Sequence, residues 1–376
     1  MKYVLEHTDG YARAGNIHTS HGSIETPAFM PVGTQGTVKA IAPNGLRDVG
    51  SQIILGNAYH LYLRPGLDVI RAAGGLHQFM GWDGPILTDS GGYQVFSLAD
   101  LKQINNEGVQ FRSHLDGSLH HFTPEFSVET QRVIGADIIM VLDECIAYPS
   151  DRENACRAHE LTLRWAKRCK KKFEEFDPVY GHQQSLFAIV QGGVYPELRK
   201  ESAEALGAMG FEGYAIGGLS VGEPVDLMYE MTEVCASLLP SEKPRYLMGV
   251  GTPQNLLESI ERGVDMFDCV LPTRNGRNAE LFTSRGTLSM KNVAFKYEFT
   301  PIDECCNCYL CKNFTRSYLR HLFIAKEILA LQLATLHNLT YYHRLMREAR
   351  TAIARGEFVN WKKEQFVMLE TETAVI

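Results

Sequence analysis

Met266-Phe267-Asp268-Cys269-Val270-Leu271-Pro272-Thr273-Arg274-Asn275-Gly276-Arg277-Asn278 carries a short apolar run into a carboxylate, Asp268. It then passes into a loop with Pro272, Gly276 and two arginines. A carboxylate at the mouth of a buried strand is fixed in place yet accessible, and arginines behind it suit phosphate or carboxylate groups. A single strand-end aspartate is more often a turn cap. Here the pattern recurs along the chain.

Six further apolar runs end on a polar residue or glycine. They are Gln52–Gly56 into Asn57, Pro85–Thr88 into Asp89, Ile138–Leu142 into Asp143 and Leu186–Val190 into Gln191, then Tyr214–Ile216 into Gly217-Gly218 and Arg245–Met248 into Gly249. Longer helical patterns separate them, which is the rhythm of a parallel βα sheet. Seven such runs predict an irregular (β/α)₈ barrel of the TIM type whose active face collects the strand ends. A doubly wound sheet is the rival, but no Gly-x-Gly-x-x-Gly turn follows the first run.

Residues 1 to about 36 alternate apolar and polar around the turn signals Asp9-Gly10 and His21-Gly22, and read as antiparallel strands. The interval from Asp89 to Asp143 is too long for one helix. It holds a hairpin at 109–122 around Asp116-Gly117, read as an insertion in the barrel. The Glu153–Glu175 helix carries six Lys/Arg, from Arg164 to Lys172, and reads as a solvated face. The expected division is a catalytic barrel over 1–280, a metal-binding subdomain over 281–350, and a C-terminal helix and tail over 351–376.

Net charge is 37 − 44 = −7, which does not mark the whole molecule as a nucleic-acid binder. Between Leu281 and Arg350, ten Lys/Arg face five Asp/Glu, leaving that region at +5 and the rest at −12. A local basic face on an acidic body permits phosphate contact. No uncharged apolar stretch reaches membrane-spanning length and the N-terminus lacks a signal-peptide core. Nine cysteines, an odd number, fit a reducing cytosol and argue against a disulfide framework.

Four cysteines cluster late. Cys306-x-Cys308-x-x-Cys311 sits in a predicted loop, and a helical pattern over Leu331–Met346 brings His337. Three thiolates and an imidazole make a closed tetrahedral zinc site that is structural, with no open position for chemistry. Spacing favours Cys306 over Cys305, but leaves His321 and His343 as alternatives to His337.

Asp89-Ser90-Gly91-Gly92-Tyr93-Gln94, Gln191-Gly192-Gly193, Gly217-Gly218-Leu219, Phe267-Asp268-Cys269 and the Cys-x-Cys-x-x-Cys…His cluster occur in this order. With them the chain resembles the queuine tRNA-ribosyltransferases, also called tRNA-guanine transglycosylases, and the bacterial branch above all. The resemblance covers nearly the whole sequence. It implies an irregular barrel with a zinc subdomain and an exchange of guanine at the first anticodon position for a 7-deazaguanine, without breaking the RNA backbone. It also implies the tRNA anticodon loop and a 7-deazaguanine base as partners, a homodimer, and a cytoplasmic protein with no membrane contact.

Carried onto this sequence, the family's nucleophile falls on Asp268 and its general acid/base on Asp89. Base recognition falls on Asp143, Gln191 and the Gly218-Leu219 backbone, and a stacking pair on Tyr93 and Met248. Arg274 and Arg277 match an anticodon-contacting segment. The metal ligands become Cys306, Cys308, Cys311 and His337. The bottom-up chemistry agrees: cleavage of an N-glycosidic bond builds oxocarbenium character at C1′, which one carboxylate traps while a second protonates the departing base.

Cys145 and Val221 match the bacterial pocket and favour 7-aminomethyl-7-deazaguanine as the incoming base; Ser220 departs from the expected pattern and keeps queuine as the alternative. A non-catalytic tRNA-binding partner subunit is a second reading, opposed by retention of both Asp89 and Asp268. A hydrolase leaving an abasic site is a third.

Overall fold

The computed structural model describes residues 1–94 and 102–370. Three antiparallel strands open the chain: β1 (Lys2–Asp9), β2 (Ala12–Thr19) and β3 (Gly22–Thr26). Eight parallel strands then close a barrel in the order β4 (Ala28–Gly33), β5 (Ile54–Asn57), β6 (Ile86–Asp89), β10 (Ile138–Met140), β11 (Ser185–Val190), β12 (Gly213–Ile216), β13 (Arg245–Leu247) and β14 (Met266–Cys269). Closure comes from β14 pairing with β4, Met266 opposite Ala28. The runs over Ile138–Met140 and Ser185–Val190 are buried at every residue, as expected of strands covered on both faces.

The antiparallel reading of residues 1–36 holds only through Thr26. β4, the barrel strand missing from the seven runs read in the sequence, runs parallel to both neighbours. Its sequence, Ala-Phe-Met-Pro-Val-Gly, contains a proline and a single β-branched residue, which disguises a strand buried on both sides.

The insertion between Asp89 and Asp143 is a three-stranded sheet: β7 (Lys102–Ile104) joins the predicted hairpin of β8 (Val109–Arg112) and β9 (Leu119–Phe122). The helix Arg152–Glu175 buries Ala155, Ala158, Leu161, Trp165 and Cys169 at helical spacing. Its charges lie outward, with i,i+4 pairs such as Lys170–Glu174 at 3.0 Å.

After the barrel, β15 (Glu280–Thr283) and β16 (Gly286–Ser289) form a hairpin, followed by short helices and one long helix, Ile328–Arg355. A second hydrophobic core, from Ala279 to Ala334, lies beneath these elements, separate from the barrel core. The long helix crosses residue 350 unbroken, so no backbone break marks the expected division there. Asp268 lies within β14 and not at its end. The stretch behind it is a short helix, Leu271–Arg277, where a loop was expected. Pro272 in its first turn, where a missing N–H costs nothing, accounts for the helical start.

Candidate active site

The C-terminal ends of the barrel strands surround a cavity of about 560 Å³. That lies within the roughly 300–1,000 Å³ usual for small-molecule sites. Asp89, Tyr93, Asp143, Gln191, Gly218, Leu219, Met248, Asp268 and Arg274 all line it, as do Cys145, Ser220 and Val221. Arg277 does not: its Nη1 donates to Thr273 O one turn back, at 2.8 Å.

Asp89 is 8% exposed and closes β6 directly opposite Asn57 at the end of β5. That register lets Asn57 Nδ2 donate to Asp89 Oδ2 at 2.6 Å, while Oδ1 accepts from the amides of Ala58 at 3.0 Å and Gly91 at 3.2 Å. Burial nevertheless dominates and lifts the acid to about 7, with the nearby negative charge of Asp268 adding to the rise. Asp89 is thus poised to hold or release a proton near neutrality.

Asp268 is partly exposed to the cavity. Its Oδ1 accepts two hydrogen bonds, from Tyr246 Oη at 2.5 Å and from the Gly249 amide at 2.8 Å. Burial raises its pKa, and both donors oppose that rise by favouring the carboxylate. Burial thus raises both acids, Asp89 to about 7, while the hydrogen bonds each accepts favour its anion.

Asp143, in the loop after β10, accepts from Gln191 Nε2 at 2.7 Å and from Ser90 Oγ at 3.3 Å. Burial moves it up to about 6. With Nε2 engaged, Gln191 Oε1 is buried without a hydrogen-bond partner. Gly218 faces it closely: a Cβ there would stand 2.3 Å from Oε1, and its φ of +64° is left-handed. Glycine is needed here on both grounds. Gly218→Ala is expected to lower the unfolding free energy by about 1–2 kcal/mol, measured by denaturant titration; an unchanged midpoint would contradict the close approach. Tyr93, 52% exposed, stands at the rim, and Met248 is half-buried.

Two residues that hold the acids had no assigned role in the sequence reading. Asn57 appeared there only as a polar strand end, and Tyr246 as one residue of an apolar run. The first was recoverable from the paired strand ends at Asn57 and Asp89. The second depends on tertiary register alone.

The four predicted metal ligands come together in the second core. His337 Nδ1 lies 3.8, 3.5 and 3.3 Å from the Sγ atoms of Cys306, Cys308 and Cys311. A tetrahedral Zn²⁺ with its usual bond lengths spaces sulfur and nitrogen by about 3.5 Å, so the donors fit. His337 Nε2 donates to Phe282 O at 2.8 Å, which leaves Nδ1 with its lone pair for the ion. Cys305 points to solvent, and His343 is buried elsewhere against Ser51 Oγ at 2.8 Å.

A second histidine–carboxylate group, His21, His77 and Asp137, lies at the opposite end of the barrel. The His21 and His77 rings stack 3.7 Å apart at 18°, and each turns a ring nitrogen to the Asp137 carboxylate, at 2.8 Å and 3.2 Å. Asp137 also accepts from the Ile86 amide at 3.0 Å, which ties the floor together.

The family model for queuine tRNA-ribosyltransferase matches residues 8–370. A queuine tRNA-ribosyltransferase of Caldanaerobacter subterraneus subsp. tengcongensis is 58% identical over 353 residues, covering 94% of this chain and 93% of that protein. Those of Solidesulfovibrio magneticus and Acetivibrio thermocellus are 54% and 53% identical, with 96% and 94% of both chains covered. The chain belongs to the queuine tRNA-ribosyltransferase family.

Proposed function

We propose that this protein is a tRNA-guanine transglycosylase. It exchanges guanine at the first anticodon position of tRNAs with GUN anticodons (those for Asp, Asn, His and Tyr) for 7-aminomethyl-7-deazaguanine. The supporting observation is that the carboxyl groups of Asp89 and Asp268, on separate barrel strands, face one cavity at the barrel mouth, where the charge of Asp268 helps to raise Asp89.

In this mechanism Asp268 Oδ2 attacks C1′ of the ribose. The C1′–N9 bond breaks, and the departing guanine takes a proton from Asp89. A ribosyl-aspartate ester keeps the RNA attached while the bases trade places. The incoming base gives its N9 proton to Asp89 and attacks C1′, and the ester's electron pair returns to Asp268. Two inversions retain configuration.

The base has left the RNA stack, so Tyr93 and Met248 sandwich it. Ionised Asp143 accepts from its N1–H and exocyclic amine, while the second Nε2–H of Gln191 and the Gly218-Leu219 backbone N–H groups donate to O6. Arg274, on the cavity wall, and Arg277 behind it contact anticodon phosphates.

Cys306, Cys308, Cys311 and His337 hold one structural Zn²⁺, which supplies cross-linking and no chemistry. The division into a barrel over 1–280, a zinc-binding subdomain over 281–350 and a C-terminal helix and tail is one of roles. The family likeness supports a cytoplasmic homodimer. Among the described residues no helix is long and apolar enough to cross a membrane.

The reading is tested with free labelled guanine and, separately, with tRNA carrying labelled guanine at the first anticodon position. Exchange should move the free label into RNA, and should release the bound label in repeated turnovers only when a competing base is supplied. Release into water alone, leaving abasic RNA, would make the protein a hydrolase.

A pH prediction follows from the acids. Asp89 must enter protonated, so kcat/KM for guanine release should fall as pH rises through about 7. It should also fall on the acid side, where Asp143, at about 6, and Asp268 lose their charge. Asp89→Ala is expected to lower the rate by about 10²–10⁴-fold and to abolish the alkaline limb. Survival of that limb in the variant would remove Asp89 as the acid.

A further inference from the structure

We propose that Tyr246 is a positioning residue that selects which oxygen of Asp268 attacks and receives the charge when the ester is broken. This rests on Asp268 being the nucleophile. Tyr246 on β13 lies opposite Met266 on β14, and Asp268 is two residues further along the same strand face. The phenol thus reaches diagonally to the carboxylate, a cross-strand distance that a long side chain spans.

Both donors to Asp268, Tyr246 Oη at 2.5 Å and the Gly249 amide at 2.8 Å, converge on Oδ1. Oδ2 is left to form the bond to C1′. In the ester, Oδ1 becomes the carbonyl oxygen. When the incoming base attacks C1′, the C1′–Oδ2 bond breaks and the carboxylate re-forms with its charge shared onto Oδ1. Two fixed donors already point there, an arrangement like an oxyanion hole turned toward the enzyme's own leaving group.

Tyr246 is fully buried, and its own pKa is driven well above the usual tyrosine value by that burial and by Asp268, so it remains a donor. Asp89 and Cys269 are the other ionisable groups near its hydroxyl. The wall behind the Gly249 donor is fixed as well: Tyr342 Oη, from the long helix, donates to Gly251 O.

The test compares Tyr246→Phe and Asp268→Asn by single-turnover formation of the covalent RNA–protein species, followed across pH, with tRNA affinity and melting temperature recorded. Tyr246→Phe should bind tRNA as the parent does. It should form and discharge the adduct about 10²-fold more slowly, with the acid limb displaced to higher pH because a bond favouring the Asp268 anion is gone. A parental rate and acid limb in Tyr246→Phe, with no adduct from Asp268→Asn, would overturn the positioning role while leaving the nucleophile in place. Adduct formation by Asp268→Asn would overturn the reading beneath it. Should the phenylalanine protein not fold, 3-fluorotyrosine at 246 keeps the ring and hydroxyl but strengthens the donor: the adduct rate should change and the acid limb move to lower pH, and a parental rate with an unmoved limb overturns the proposal.

Discussion

Asp268→Asn is expected to abolish base exchange, by at least about 10⁴-fold, while tRNA still binds and the fold is kept. The amide has the carboxylate's shape, and its oxygen can accept the same two hydrogen bonds, from Tyr246 and the Gly249 amide. No charge is left stranded in the barrel mouth, so the substitution removes a desolvated anion without leaving a donor unpaired. What disappears is the nucleophile: an amide oxygen is a poor trap for the developing cation at C1′. Losses on this scale accompany removal of a covalent nucleophile elsewhere. Steady-state exchange and filter binding on the same preparation check it. Near-parental exchange by the variant is incompatible with the ester mechanism.

Cys308→Ala is expected to have the largest effect on the fold. Cys308 is both a donor of the proposed zinc set and the cap of the helix Tyr309–Asn313, where its Sγ accepts from the Cys311 amide at 3.4 Å. Binding energy of a structural zinc is folding energy, on the order of 10 kcal/mol at neutral pH, so losing one of four donors removes much of what holds the second core. The damage should reach the active site. His337 lies on the helix Ile328–Arg355, next to Asn338, which donates to Pro272 O at 2.9 Å in the helix just behind Asp268. One turn on, Tyr342 holds the Gly251 carbonyl. Gly276 packs against the backbone of this same helix, where an added Cβ would stand 3.0 Å from Ala334 C. The variant should therefore bind less than one zinc per chain, melt at lower temperature and lose exchange. Full zinc content with parental melting would contradict the assignment of these ligands.

How much of this was legible in the sequence depends on the kind of interaction. Strands buried on both faces, such as Ile138–Met140 and Ser185–Val190, write themselves as continuous apolar runs. Local spacing likewise exposed the cysteine cluster, although the choice among three histidines needed the family likeness. β4 was hidden because Pro31 and Gly33 sit in a strand whose partners are β5, the next barrel strand, and β14, the last, a closure that no local pattern encodes. The helical course of Leu271–Arg277 was hidden by its own Pro272 and Gly276, which read as loop residues.

At the site, the residue types at strand ends could be read, but not their states. That Asp89 rises to about 7 depends on burial and on Asp268, which lies far along the chain. Tyr246 was only one residue of an apolar run, and its role depends on the register of β13 and β14. Arg277 does not line the cavity with Arg274: its Nη1 donates to Thr273 O one turn back.

The central claim is a bond between one aspartate and the ribose of the exchanged nucleotide. The most direct measurement is to trap the RNA–protein adduct with tRNA and a competing base, digest it, and map the modified peptide by mass spectrometry. A ribosyl group on the peptide containing Asp268, absent from the Asp268→Asn protein, is the predicted result. An adduct on Asp89, Asp143 or any other side chain would contradict it.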